Sequence, residues 1–193
     1  MLGNWLYNIR QLFYPSTWYG WRLGLQSWWY TREKELLVFI AILVAIPTLF
    51  GVLIYQSVEE KQVKRELRCL ALNIYYEARG ESRRGQYAVA EVTMNRVASR
   101  RFPDTVCKVV YEKRWDRIRK RYVGAFSWTE IQSNSRIDRK ALQEAWKIAE
   151  AVYYQTEKPM VKGALFYHAR YIRPSWARTK LKVASIGQHI FYK

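Results

Sequence analysis

The sequence predicts an α+β protein, a mainly helical domain with short β-strands that is preceded by one transmembrane helix. Three observations carry that prediction. Apolar residues recur at three- and four-residue steps in several segments, the period of an amphipathic helix. Residues 36–55 are twenty positions without a charge, long enough to cross a bilayer. Short β-prone runs close the chain.

Residues 1–35 are dense in aromatic rings: Trp5, Tyr7, Phe13, Tyr14, Trp18, Tyr19, Trp21, Trp28, Trp29 and Tyr30. Such rings favour the headgroup region, so the segment reads as cytoplasmic or interfacial, with a partner-binding segment as the alternative. It is too short to bury a core of its own. The run 36–55 contains Pro47, which a membrane helix tolerates. It fits a cleaved signal peptide poorly, because 35 residues precede it and no small-x-small site follows it. Arg10, Arg22, Arg32 and Lys34 lie before the run and Lys61, Lys64, Arg65 and Arg68 after it, so the positive-inside rule does not orient it.

Residues 58–193 have the size of one small domain. Val63, Leu67, Leu70, Ala71, Ile74 and Ala78 mark its first helix, with Gly80 as the stop. Residues 82–99, with Val89, Val92 and Val97, predict a second. Residues 104–112 predict a short helix opened by Pro103-Asp104. The charged stretch Lys113-Arg-Trp-Asp-Arg-Ile-Arg-Lys-Arg121 reads as a surface loop or an exposed helix. Residues 138–154 predict a further helix, with Leu142, Ala145, Trp146, Ala149, Val152 and Tyr153 inward and Asp138 as its N-cap. Ala164-Leu-Phe-Tyr167 and residues 188–192 are the β-prone runs.

The formal net charge is +17, of which residues 1–35 supply +2, four basic side chains against two acidic ones. The field of the remainder suits an anionic polymer or acidic envelope lipids. Nucleic acid is the rival partner, on the basic run 113–121 with Trp115 and Tyr122 beside it, and the span before the domain argues against it. The two histidines lie far apart without a short-spaced cysteine or carboxylate cluster, so no metal site is readable and no cofactor is expected. No glycine-rich phosphate loop or nucleophile elbow is present.

One carboxylate stands out. Glu77 sits in the last turn of the first domain helix, beside its apolar stripe and next to Tyr75 and Tyr76. Partial desolvation there would disfavour the charged form and raise the pKa, as a proton donor working near neutral pH requires. Glu81, with Arg79, Arg83 and Arg84 nearby in sequence, is expected to stay an anion.

Seven blocks occur in one order: Asn73-Ile-Tyr-Tyr-Glu-Ala-Arg-Gly-Glu81, Gly85-Gln-Tyr-Ala-Val-Ala90, Met94-Asn-Arg-Val97, Phe102-Pro-Asp-Thr-Val-Cys107, Phe126-Ser-Trp128, Tyr167-His168 and Ile186-Gly-Gln-His-Ile-Phe-Tyr192. Together they resemble the cell wall hydrolase family of the spore cortex-lytic enzymes, over roughly residues 66–193. The resemblance implies a lysozyme-like domain acting on peptidoglycan glycan strands, with Glu77 as the catalytic acid and lytic transglycosylase chemistry. It also implies that Cys69 and Cys107, the only two cysteines, pair in a disulfide. Such a bond needs an oxidising compartment, which places the domain outside the cytoplasm, in a bacterial periplasm, single-pass in the inner membrane with the amino terminus inside. Bacterial remodelling and phage-encoded lysis fit equally.

Simple glycoside hydrolysis takes two carboxylates. Glu91, Asp104, Asp116, Glu130 and Asp138 are candidates for the second, none placed by its spacing. A lytic transglycosylase needs one acid, which protonates the leaving oxygen and then deprotonates the muramic 6-hydroxyl. A muramidase-type hydrolase and an idle wall-binding scaffold stay open as alternatives. Asn95, Ser127, Tyr167 and His168 are the candidate substrate-binding residues, each with a structural hydrogen bond as its competing role. His189 reads as packing.

Overall fold

The computed structural model describes residues 15–117, 119–130 and 137–193, with the backbone alone at 15–21, 23–25, 28–31 and 33. The chain divides into two compact units, Met1–Val58 and Glu59–Lys193.

Helix α1, Pro15–Ala78, is 64 residues long and unbroken. In the first unit it carries the uncharged run, whose side chains are exposed. An 18-residue window within Lys34–Ala78 has a mean hydropathy of 2.9, and the helix there is long and apolar enough to cross a membrane. Pro47 removes one backbone donor, and Thr48 Oγ1 turns back onto the carbonyls of Val44 and Ala45, each at 2.9 Å. Of the aromatic residues expected at an interface, Trp5, Tyr7, Phe13 and Tyr14 lie outside the described residues, as do the side chains of Trp18, Tyr19, Trp21, Trp28, Trp29 and Tyr30.

The second unit is built on the last turns of α1. Leu70, Ala71 and Ile74 are fully buried there, following the predicted spacing. Each of the two larger side chains contributes roughly 1.5–3 kcal/mol by leaving water. Helix α2, Arg83–Val97, is capped by Ser82, which accepts from the Gly85 amide. Helix α3, Val106–Val110, is shorter than the expected 104–112 and starts after Thr105, whose hydroxyl accepts from Lys108 N. Helix α4, Arg139–Tyr153, begins at Asp138, which accepts from the amides of Lys140 and Ala141 as the N-cap rule requires. It buries Ala145, Ile148 and Ala149.

Lys113–Asp116 and Arg121 are strand, where the sequence alone reads as a loop or an exposed helix. Strands β1, Lys113–Asp116, and β2, Arg121–Gly124, form an antiparallel hairpin with Trp115 opposite Tyr122. The charges on both faces hide its period of two. The β-prone aromatics Trp115 and Tyr122 decide the local conformation.

The second sheet runs in the order β3-β5-β4, from Phe166–Ala169, His189–Tyr192 and Lys182–Ile186, all antiparallel. Tyr167 pairs with Phe191 and His168 with Ile190. Strand alternation therefore sends Tyr167 and His168 to opposite faces. One core cluster joins Leu70, Ile74, Tyr87, Val106, Val110, Phe126 and Ala149. A second joins Ala78, Val89, Val92, Val161 and Phe191, and Tyr167 packs against both.

Cys69 and Cys107 form a disulfide across 38 residues. Beside it the buried Glu66 accepts from the Cys107 amide at 2.9 Å and from Gln62 Nε2 at 2.9 Å, so the end of α1 and the start of α3 are tied twice.

Candidate active site

Glu77 is the penultimate residue of α1 and half-buried, and the following Ala78 is in the core. Its Oε2 accepts the Tyr167 hydroxyl at 3.1 Å. Burial raises the Glu77 pKa above the usual carboxylate value, and the Tyr167 hydrogen bond and the Arg96 charge oppose that rise. Burial also lifts the Tyr167 phenol well above its ordinary value, with the neighbouring Glu77 charge adding to it. Tyr167 thus keeps its proton and donates a hydrogen bond to Oε2, which leaves the other oxygen of Glu77 to carry a proton.

Arg96 is the cation of the site. Its Nε donates to the Leu165 carbonyl at 2.9 Å, and its guanidinium lies over Phe102 and Phe126, each 5.3 Å from the ring centre. Burial lowers its pKa from the ordinary guanidinium value.

An aromatic wall is built on Tyr76, the residue before Glu77 in the chain. Tyr76 stacks on Trp128 at 4.6 Å with 18° between the planes, and Tyr111 meets Trp128 edge-on. The Trp128 indole donates to Asn73 Oδ1 at 3.0 Å, and the fully buried Asn73 donates to Thr93 Oγ1 at 3.2 Å. A helix side chain four residues before Glu77 thereby fixes the rotamer of the wall.

Glu81 is not surrounded by arginines. Arg79 and Arg83 instead reach the hydroxyls of Tyr75 and Tyr87. The Glu81 side chain is only 8% exposed, and its Oε2 accepts the Gln188 amide at 3.1 Å. Its Oε1 lies 3.3 Å from His189 Nδ1, a close contact short of an aligned hydrogen bond. Burial pulls the His189 pKa down, while the Glu81 charge works against that and His168 adds to it. The His189 ring meets the Tyr167 ring edge-on at 5.3 Å. His189 is thus more than packing: it stands between Glu81 and Tyr167.

The other expected site residues divide. Tyr167 reaches Glu77. His168 lies on the opposite strand face, where its Nε2 is 3.0 Å from the Tyr192 hydroxyl and its ring stacks on Tyr192. The Asn95 amide donates to the carbonyls of Val161 and Ala164. Asn95 lines a cavity of about 360 Å³ together with Tyr87, Glu91, Met94 and Met160, and Glu77 is not part of that lining. Ser127 is exposed at the start of a 3-10 turn, Ser127–Thr129.

Each carboxylate considered as a second partner has structural work elsewhere. Glu91 accepts the amides of Met160 and Val161. Asp104 pairs with Lys108 and Asp116 with Arg119. Glu130 pairs with Arg121 and accepts the Gly124 amide, and Asp138 caps α4. Among the described residues, no three His, Cys, Asp or Glu side chains come together as a metal site.

Sequence reasoning missed Arg96, Asn73, Trp128 and the Glu81–His189 contact as parts of this arrangement. A polar residue inside an apolar helical run was the available signal for Asn73 and Arg96.

A family model described as Cell Wall Hydrolase matches residues 80–192, a span that begins three residues after Glu77. The spore cortex-lytic enzyme of Oceanobacillus iheyensis is 30% identical over 145 residues, covering 71% of this chain and 45% of that enzyme. That of Bacillus cereus is 28% identical over 134 residues, covering 67% and 45%. The chain therefore spans less than half the length of these curated relatives. A solved structure, the catalytic domain of the germination-specific lytic transglycosylase SleB from Bacillus anthracis, is 29% identical over 66% of this chain and 93% of that one, with a TM-score of 0.49.

Proposed function

This chain belongs to the cell wall hydrolase family, and on that footing we propose that it is a membrane-anchored peptidoglycan glycosidase in which Glu77 is the general acid and base. It cleaves the β-1,4 bond between N-acetylmuramic acid and N-acetylglucosamine, as a lytic transglycosylase. The observation that carries the reading is the environment of Glu77, a half-buried carboxyl with a raised pKa and one oxygen held by Tyr167. A raised pKa keeps a protonated fraction available near neutral pH.

In the first step the Glu77 proton passes to the leaving glycosidic oxygen as the C1–O bond breaks. Glu77, now a carboxylate, takes the proton of the muramic 6-hydroxyl as O6 bonds to C1, and the starting protonation state returns. The Tyr167 hydrogen bond and the Arg96 charge stabilise the carboxylate formed between the two transfers. The occupied state of Glu91, Asp104, Asp116, Glu130 and Asp138 supports a one-acid mechanism over a two-carboxylate hydrolase.

The anchor is the uncharged run 36–55 within α1. The disulfide supports a catalytic domain, residues 58–193, on the oxidising side of a bacterial inner membrane.

The test is mass spectrometry of the fragments that the full-length protein, in nanodiscs, releases from purified peptidoglycan. Products ending in 1,6-anhydromuramic acid, absent with Glu77→Gln, are expected. Reducing-end sugars would replace the transglycosylase by a hydrolase, and no release from the parent would leave a wall-binding scaffold.

A further inference from the structure

The β1–β2 hairpin has a feature that the Glu77 chemistry does not use. Trp115 and Tyr122 stand directly opposite each other, their rings edge-to-face at 5.3 Å, yet they are 54% and 64% exposed. Paired aromatics left in water are a mark of a binding surface. The two faces of the ribbon differ. On one, Arg114 lies over Phe102 at 4.7 Å and Val123 is half-buried, so this face rests on the domain. On the other, alternation places Lys113 with Trp115 and Tyr122, all exposed. The stretch 113–124 holds six exposed basic side chains against one acid.

The hairpin is also continuous with the site. Arg114 shares the Phe102 ring with Arg96, the cation beside Glu77. Strand β2 runs directly into Phe126-Ser-Trp128, which forms the wall on Tyr76.

From these observations we infer that the outer face of the hairpin is a docking platform for an acidic glycan strand, the distal part of the same polymer whose bond lies at Glu77. Pyranose rings lie on the Trp115 and Tyr122 faces, and the basic side chains draw in the carboxylates the strand carries on its peptide branches. A strand rather than a lipid surface fits, because the platform leads into the site. The inference rests on the peptidoglycan reading given above.

The experiment measures retention rather than turnover. Full-length Glu77→Gln protein in zwitterionic nanodiscs is cosedimented with purified sacculi, with and without Trp115→Ala plus Tyr122→Ala. A second variant replaces Lys113, Arg117 and Lys120 by Gln. The aromatic pair should cost roughly tenfold or more in affinity, as central aromatic anchors do. The charge variant should flatten the salt dependence of binding. A melting temperature equal to the parent's certifies the fold of each variant. Unchanged retention in the aromatic variant overturns the proposal, and so does a parent that fails to sediment. Loss of binding to phosphatidylglycerol vesicles with sacculus binding kept would also overturn it, and assign the face to a membrane. Because retention is read in the Glu77→Gln background, a wild-type chain that cleaves nothing removes the glycosidase reading without deciding this one.

Discussion

The Tyr167 hydroxyl donates to Glu77 Oε2 across 3.1 Å, joining the last turn of α1 to a strand 90 residues later. The bond favours the carboxylate, so it opposes the rise in pKa that burial imposes. Tyr167→Phe removes the opposing effect and lifts the Glu77 pKa further. The alkaline limb of the pH–rate profile, where the acid loses its proton, should move to higher pH in this variant. A limb that stays in place or moves down would separate Tyr167 from the titration of Glu77.

Glu77→Gln should lower turnover by about 10²- to 10⁴-fold, the range for loss of a general acid. Its stability has a sign as well. A folded-state pKa above the unfolded value means that the stability is fully present below the unfolded pKa and is lost as pH rises through the folded one. The neutral amide avoids that loss. The variant should therefore melt above the parent at neutral pH, and the advantage should disappear below the ordinary carboxylate pKa of 4.5. Calorimetry at two pH values reads it.

Gly187 has φ +57°, and a Cβ there would collide with the Glu81 carboxylate. Gly187→Ala should cost about 1–3 kcal/mol from the backbone alone, with the collision added. In a Glu81→Ala background the collision is gone, so the second substitution should cost less than in the parent. Equal costs in a denaturant double-mutant cycle would mean that the turn does not press on Glu81.

Replacing Cys69 and Cys107 together by Ser should remove about 4 kcal/mol in the chain-entropy account, given the 38-residue separation. The parent should lose the same amount on reduction, and the double variant should be indifferent to reductant. Denaturant unfolding with and without a thiol reads both.

Trp128→Phe keeps a ring to stack on Tyr76 and deletes the indole donor to Asn73. The fully buried amide oxygen then loses its partner, at a cost of about 1–3 kcal/mol. Asn73→Leu in the same background should recover part of it if Thr93 turns fully to Val89. Thermal unfolding of the three variants checks the sequence of effects.

The helices of the domain were legible because each combines one apolar stripe with a capping side chain, as Ser82 and Asp138 show. Glu77 was legible for the same reason, since periodicity placed it at a helix end beside apolar residues. The hairpin was not. Its Lys and Arg side chains occupy both faces, so no apolar alternation marks the strands, and only the pairing of Trp115 with Tyr122 reveals them. The Glu81–His189 contact spans 108 positions and follows from the register of β5, which no local pattern encodes. His168 was grouped with Tyr167 by adjacency, and of its two readings the structural hydrogen bond is the one seen, to Tyr192. Neighbours in a strand face opposite ways, so one of the pair Tyr167-His168 had to turn away from Glu77.

Strand β5 lies between β3 and β4, and it is the last of the three in the chain. Without it Tyr167 has no Phe191 to pair with and Glu81 no Gln188 amide to accept. Glu77 precedes Phe191 by more than a hundred positions, and its partner Tyr167 is held in the sheet by that strand. The surroundings that tune the Glu77 carboxyl therefore depend on the pairing of β5 and not on the helix that carries it.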